Sequence, residues 1–399
     1  MGRVSSGEAP RALDGVVVLD IGHWIAGPFG PTLLADFGAT VIKVEPPNGQ
    51  STPMRNPVSW AVEQRNKKCI TLALNTPRGR ELFLDLVRRA DVVVENFSPG
   101  TLERWDLSYA RLSEANDRLI LVRVSGFGQT GPYRDRPAFD RLAIAMGGLT
   151  YTTGFPDSPP VRPGFQVADY GNGLMSAFAT MVALFNRDGV GTGKGQEIDL
   201  ALYETIFRLS GGLVPQYGVN GTMKERSGNT VPGISPGDQF KTLDDRWVVI
   251  HAGADHHFRR LFETIGLPEL AHSDQFATLV QRAPSVAELN SAVAPWVAAR
   301  THEEVIDTLV AAGVPVSLVY NAEDISKDPH YQARDMIIDV DDPTVGRVPH
   351  PAPVPKLSRT PGQVYAPAPT LGQHNSEVYE GLLGLSSSDI DALRAEGII

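Results

Sequence analysis

Strand-like and helix-like segments alternate along residues 15–126, and this alternation restricts the chain more tightly than any single motif. Residues 16–19, 40–44, 69–72, 92–95 and 119–124 are short, mostly apolar runs, as strands covered on both faces must be. Residues 31–36 read as a short helix. Thr76-Pro77 supplies an N-cap and a first helical residue for a helix reaching Arg89, and Ser98-Pro99 caps the next. Strand and helix in alternation predict a parallel α/β sheet whose ligands bind outside the carboxyl ends of its strands.

The pattern then turns helical, at residues 139–146, 169–185 and 199–213. Residues 218–237, rich in Gly, Asn, Ser and Pro, read as a linker and loop. A second unit follows: a hairpin of 239–243 with 247–251 around Asp244-Asp245, then helices at 258–265, 286–299 and 302–312. Beyond it, the proline-rich stretch 341–369 predicts an extended strap, and a final helix starts near Ser388.

Composition narrows the class. With 399 residues, 42% hydrophobic and 21% charged, the chain is long enough for two domains with substantial cores. A net charge of −10 argues against a nucleic-acid partner but leaves room for a local basic site that receives an anionic small molecule. Cys69 is the single cysteine, which forbids an intrachain disulfide and fits a reducing, cytoplasmic compartment. The longest apolar run, residues 174–185, is about half the ~20 residues a spanning helix needs. It reads as a buried core helix, with no membrane partner. The N-terminus lacks a secretory h-region; Gly2 and Ser6 fit the myristoylation pattern, which we read as a chance match in a tail.

Ser125–Tyr133 (SGFGQTGPY) places Gly126, Gly128 and Gly131 in the spacing of a dinucleotide-binding turn. A strand precedes it, but Pro137 would disrupt the helix that should follow. No acid lies about 20 residues on to meet a ribose hydroxyl. The stretch reads instead as a glycine-rich turn after a buried strand.

Candidate site residues cluster at predicted strand ends. His23 and Trp24 follow the first strand, Asn66-Lys67-Lys68 enters another, Asn96-Phe97 follows a third, and Arg104 lies one turn into the helix capped by Ser98. Lys43, Lys67, Lys68 and Arg104 would form a basic pocket, with helix N-termini adding attraction for phosphates. Taken singly, each lysine reads as solvated surface charge. Asp169, at the start of an apolar helix, is either a plain N-cap worth about 1 kcal/mol or a reactive carboxylate. In the second reading Gly171 and Gly173 let a bulky substrate approach. His251, His256 and His257 do not make a metal set, because neighbouring helical positions point to different sides.

Nine ordered stretches carry a resemblance: LDGVVVLDIGHWIAGP, LLADFGATVIKVE, QRNKKCITLAL, DVVVENFSPGTLERW, SGFGQTGPY, GFQVADYGNG, GKGQEIDLALYE, AGVPVSLVYNAEDISKDPH and LGQHNSEV. Together they resemble the class III CoA-transferases, from about Leu13 to the C-terminus. The resemblance implies an interlaced, ring-like homodimer. Its large Rossmann-like domain is built from both chain ends (1–217 and 321–399), with a linker and glycine-bearing loop at 218–237 and a smaller inserted α+β domain at 238–320. It also implies transfer of CoA between an acyl-CoA and a free carboxylic acid, with Asp169 as nucleophile and Asp140 as an acid beside it; Glu204 is a weaker candidate for that neighbourhood. By the same match His23, Trp24, Ile25 and Ala26 line the CoA tail. Asn96, Phe97 and Arg104, with Lys67 or Lys68, hold its adenine and phosphates, and Lys43 and Phe139 count among the CoA-binding residues. Gly228, Gly233 and Gly237 resemble a loop shielding the intermediate from water. CoA thioesters are then substrates, and no cofactor is permanently bound.

Two departures bear on the reaction. Related acyl-CoA racemases carry a His-Asp pair where this chain has Phe139-Asp140, and a phenyl ring cannot exchange a proton. Racemisation of 2-methylacyl-CoA is therefore the secondary reading. The formyl-CoA branch has Gln near the position of Ile25 and consecutive loop glycines, which leaves larger acyl groups open. Dicarboxylates such as succinate, malate, itaconate or mesaconate lie within the family's range.

Overall fold

The computed structural model describes residues 11–50, 56–231 and 233–399, so the Gly2 and Ser6 pattern lies outside the described residues. The five strands expected between residues 15 and 126 form, joined by a sixth, one parallel sheet: β1 (Val17–Asp20), β2 (Thr40–Glu45), β3 (Lys67–Thr71), β4 (Val92–Glu95), β5 (Ile120–Ser125) and β6 (Glu197–Ala201). Their spatial order is β3-β2-β1-β4-β5-β6. In that order the sheet reverses direction between β1 and β4, and a crevice opens there beyond the carboxyl ends of the strands.

The central strands carry apolar residues on both faces because both faces are covered. Leu19, Ile42, Ile70, Val93 and Leu121 pack on the side of the Pro77–Val87 helix and the C-terminal helices Asn375–Leu383 and Ser387–Ala395. Val18, Val41, Val92, Val94 and Val122 face the helices Phe29–Asp36, Asp140–Met146 and Val167–Leu184. Each such side chain stabilises the sheet by roughly 1.5–3 kcal/mol.

The structure corrects several sequence expectations. The helix expected from residue 199 begins only at Leu202; Glu197–Ala201 instead alternates exposed and inward residues and pairs with β5. Five residues are too few for periodicity to distinguish an edge strand from a first helical turn. Ser98 caps no helix: Thr101–Arg104 is preceded by Gly100 at φ +81°. Residues 174–185 are not fully buried, since Leu174, Phe178, Val182 and Phe185 form an exposed apolar stripe while Ala168, Ser176 and Thr180 face inward. Thr76 does cap its helix, accepting from the Gly79 amide at 3.0 Å.

The chain divides into two compact units. The first comprises the residues up to Leu149, Arg162–Asn220 and Gln332–Ile399; the second comprises Thr150–Val161 and Gly221–Tyr331. The second holds the antiparallel strands β7 (Gly237–Lys241), β8 (Trp247–His251) and β9 (Val316–Leu318) with helices Asp255–Thr264, Val286–Ala298 and His302–Ala311. Its core includes Phe240, Val248, Phe258, Leu289 and Leu309, beside a fully buried Arg282. That guanidinium is satisfied by the carbonyls of Ser235, Phe276 and Gly253 and by Asp255 at 2.8–3.0 Å.

Within the first unit, the start of the expected strap is a hairpin, β10 (Ile337–Asp342) with β11 (Gly346–Pro351), and the strand-free part follows it. Asn66 ties that part down: its side chain accepts from the amides of Tyr365 and Ala366 and donates to Gln363 O, all within 3.0 Å. Farther on, His374 and Asn375 bond to Cys69 and Thr71 of β3, which seals the edge of the sheet.

Candidate active site

At the reversal point, Asp20 ends β1 and the loop Ile21–Pro28 leads to the first helix. Asp20 is fully buried and accepts from Lys67 Nζ (2.8 Å), Lys43 Nζ (3.3 Å) and the Gly22 amide (2.9 Å). Burial alone would push its carboxyl up, but the two ammonium groups outweigh it and hold the pKa below the usual value. Lys43 also donates to Gly22 O, and Lys67 to Pro28 O (2.9 Å) and Gln64 Oε1 (3.0 Å). Lys67 is itself pushed down to about 8 by burial, against the pull of Asp20. The two lysines therefore hold both ends of the loop from beneath and are not among the residues lining the cavity beside it.

Asn96, just past β4, clamps the same loop from across the reversal point. Its side chain accepts from the His23 amide at 2.7 Å and donates to His23 O at 2.9 Å. Glycines at 22 and 27 leave room for it; a Cβ on Gly27 would stand 2.9 Å from the Asn96 side chain. The clamped loop presents Trp24, exposed and at φ +59°. His23 packs edge-on against Phe97, and burial, then Lys43, push its imidazole down to about 4, so it is neutral near pH 7. Glu95 orients the Phe97 amide at 2.6 Å; burial pushes its carboxyl up to about 7 despite Arg123.

Asp169 lies in the first turn of the Val167–Leu184 helix, but it is not the cap. Asp140, buried at the start of its own helix, accepts from the amides of Ala168 (2.7 Å) and Asp169 (3.4 Å). The Asp169 carboxyl makes no hydrogen bond or ion pair among the described residues. Burial, then the nearby Asp140, push it up to about 7. Gly173 does not open a path for substrate: a Cβ there would lie 2.7 Å from Phe29 Cδ1, and one on Gly30 2.8 Å from Ser176 Oγ. These two glycines let the helices Phe29–Asp36 and Val167–Leu184 pack closely.

A cavity of about 670 Å³ joins these parts. Of the residues singled out from sequence, His23, Trp24, Ile25, Ala26, Asn96 and Phe97 line it, together with Phe139, Asp140 and Asp169. Lys43 and Lys67 lie beneath it, as described. Lys68 pairs with Glu377 at 2.7 Å on the surface, and Arg104 bonds to Thr101 Oγ1 at 2.7 Å. Glu204 is bonded to Tyr203 and is not a lining residue. Gly228, Gly233 and Gly237 belong to the second unit; the first two have positive φ, whereas Gly237 is the buried first residue of β7. The sequence reading missed Arg134, Arg141 and Arg162, and did not weigh Arg136 as a site residue, although all four line the cavity. Arg141 could have been found beside Asp140 in sequence; nothing local marks the others.

The SGFGQTGPY turn follows β5, two strands from β1, where a dinucleotide fingerprint would stand. Ser125 Oγ accepts from the Gly128 amide (2.9 Å) and Asp199 from the Gln129 amide (2.9 Å). Gly126 lets Ala138 approach, since a Cβ would meet that of Ala138 at 2.2 Å. Gly126 thus helps shape the wall of the cavity.

Residues 13–375 match CoA-transferase family III. The chain is 44% identical to the succinyl-CoA–D-citramalate CoA-transferase of Chloroflexus aurantiacus, across 99% of this chain and 100% of that one. It is 40% identical to the beta subunit of the succinyl-CoA–L-malate CoA-transferase of the same organism, across 97% and 98%. A CAIB/BAIF family protein from Brucella suis superposes with a TM-score of 0.83 at 32% identity, covering 93% of this chain and 99% of that chain. The protein belongs to CoA-transferase family III and is a CoA-transferase. Among the described residues no helix is long and apolar enough to cross a membrane.

Proposed function

We propose that the protein moves CoA from a dicarboxylic acyl-CoA, such as succinyl-CoA, to a free dicarboxylic acid, with Asp169 as the covalent relay. The observation that carries this reading is an unpartnered, largely buried carboxyl at the wall of a cavity large enough for an acyl-CoA tail. The Asp169 carboxylate attacks the thioester carbonyl and expels CoA thiolate, forming a mixed anhydride. The thiolate attacks the aspartyl carbonyl and releases the donor acid, leaving an aspartyl–CoA thioester. The acceptor carboxylate displaces CoA from Asp169 to form a second anhydride. Returning thiolate attacks its acyl carbonyl, giving the new acyl-CoA and free Asp169. Each step exchanges one activated acyl group for another, so no step is steeply uphill.

In this reading the His23–Ala26 loop and Phe139 receive the tail of CoA, and Asn96, Phe97 and Arg104, with Lys68, its adenine and phosphates. Burial of Asp169 favours attack on a neutral thioester by a poorly solvated carboxylate. Racemisation is disfavoured by Phe139, which offers no proton, and by the transferase names of the relatives. A homodimer is supported by the exposed apolar stripe of Leu174, Phe178, Val182 and Phe185 on one helix. Hydroxylamine tests the relay: incubation with succinyl-CoA and hydroxylamine is expected to inactivate the enzyme and convert Asp169 to a hydroxamate visible in the peptide mass. Full protection, or a label elsewhere, refutes the assignment.

A further inference from the structure

We propose that Arg141 binds the second carboxylate of a dicarboxylic substrate while Asp169 reacts with the first. The inference rests on the transfer reading above and adds a residue that selects the acid.

The cavity is lined by four arginines, and three of them have other work. Arg134 pairs with Asp135 at 3.2 Å and, like Arg104, has its guanidinium beside Gly100, past the end of β4. Arg136 lays its guanidinium over the Tyr133 ring, 3.6 Å from the centroid. Arg162 donates to Pro163 O at 2.9 Å within its own loop. Arg141 alone makes no hydrogen bond, ion pair or ring contact among the described residues, although it lines the same cavity. An exposed guanidinium with five free donors, facing a cavity in an acidic protein, is suited to a carboxylate held by paired N–H···O bonds.

Its tether places it near the chemistry. Arg141 directly follows Asp140, whose carboxyl contacts the Asp169 amide at 3.4 Å. Consecutive Cα atoms are ~3.8 Å apart, so the arginine is anchored about one residue from the nucleophile's own support. Yet Arg141 does not pair with Asp169, whose carboxyl is raised by burial and Asp140 with no cation opposing them. A guanidinium that lines the cavity but leaves the nucleophile unneutralised fits a ligand with charge at its far end. A monocarboxylate of the same length would put a methyl group there and leave the charge unmatched, the situation in which a site built for a polar group discriminates most strongly.

The experiment compares two acids of the same carbon-chain length in the full-length enzyme: exchange of isotope-labelled succinate into succinyl-CoA, and of labelled butyrate into butyryl-CoA. Wild type is expected to favour succinate. Arg141→Met is expected to lower kcat/KM for succinate about 30-fold more than for butyrate, chiefly through KM for the acid, and Arg141→Lys to recover part of the loss. Equal losses with both acids, a wild type without preference, or a selectivity loss confined to Arg162→Met each overturn the proposal. If wild type exchanges neither acid, the transfer reading with a C4 dicarboxylate fails before Arg141 is in question. Arg141 is exposed, and a circular-dichroism melt matching wild type separates selectivity from misfolding.

Discussion

Asp20 and Asp169 are both carboxyls withdrawn from water in the first unit, and they end in opposite states. Asp20 is surrounded by two ammonium groups and an amide and is held below the usual carboxylate range. Asp169 has no cation beside it, only a second carboxylate nearby, and is pushed up to about 7. Burial is the largest influence on each, so the difference lies in the partners. The compensated charge holds a loop, and the uncompensated one is left with free energy that a reaction can use.

Substitutions and pH probe that contrast, the largest effect first. Asp169→Asn keeps the shape but removes the nucleophile, and is expected to lower CoA exchange more than about 1,000-fold in a labelled-acid assay. Residual activity near wild type would make Asp169 another structural carboxyl. Lys67→Met leaves Asp20 with one ammonium and Pro28 O without its donor, and is expected to cost about 3–5 kcal/mol in urea unfolding. Lys68→Met, one residue along, loses only an exposed pair with Glu377 and is expected to cost under about 0.5 kcal/mol. Equal costs would erase the distinction between the two lysines.

The pH profile sharpens the contrast next. As Asp169 must be ionised to attack, kcat/KM for the acyl-CoA is expected to rise through about pH 7 and level off above it. Asp140→Asn removes a like charge while keeping an acceptor for the two amides, and should move that midpoint toward acid. Stability runs the other way. A carboxyl whose folded value is raised stabilises below its unfolded value near 3.8, and that contribution is lost as pH rises through about 7. The Tm of Asp169→Asn relative to wild type should therefore increase by a few degrees from pH 5 to pH 8. The smallest effect separates two helix glycines: Gly173→Ala meets Phe29 and should destabilise by about 1–3 kcal/mol, while Gly171→Ala, with Thr205 no nearer than 3.4 Å, should be neutral or gain up to about 1 kcal/mol.

Much of the first unit was legible in the chain. Buried strands cannot disguise their apolar runs, so the first five strands appear within a residue or two of their expected places, and His23 and Asn96 could be placed just beyond strand ends. β6 was lost because five residues beginning with Glu197 satisfy both a strand and a helical turn. The lysines differ from one another in a way the sequence hides. In sequence Lys43, Lys67 and Lys68 are equivalent cations near strand ends; only the folded chain shows that two point beneath the loop at Asp20 and one points to solvent.

The order of residues was enough to specify the alternation that makes a parallel sheet and the family, and to single out the carboxyl at position 169 as a candidate, because these depend on periodicity and on ordered motifs along the chain. Which charges are paired was settled only by the fold. Whether a carboxyl is calmed by lysines 23 and 47 residues away, as Asp20 is, or left beside another acid 29 residues away, as Asp169 is, depends on contacts that exist only after folding. Folding also makes Gly173 a helix-packing residue and turns Arg141 toward the cavity without a partner. Electrostatic energy depends on distance through space and on solvent exclusion, and neither quantity is written in the order of residues.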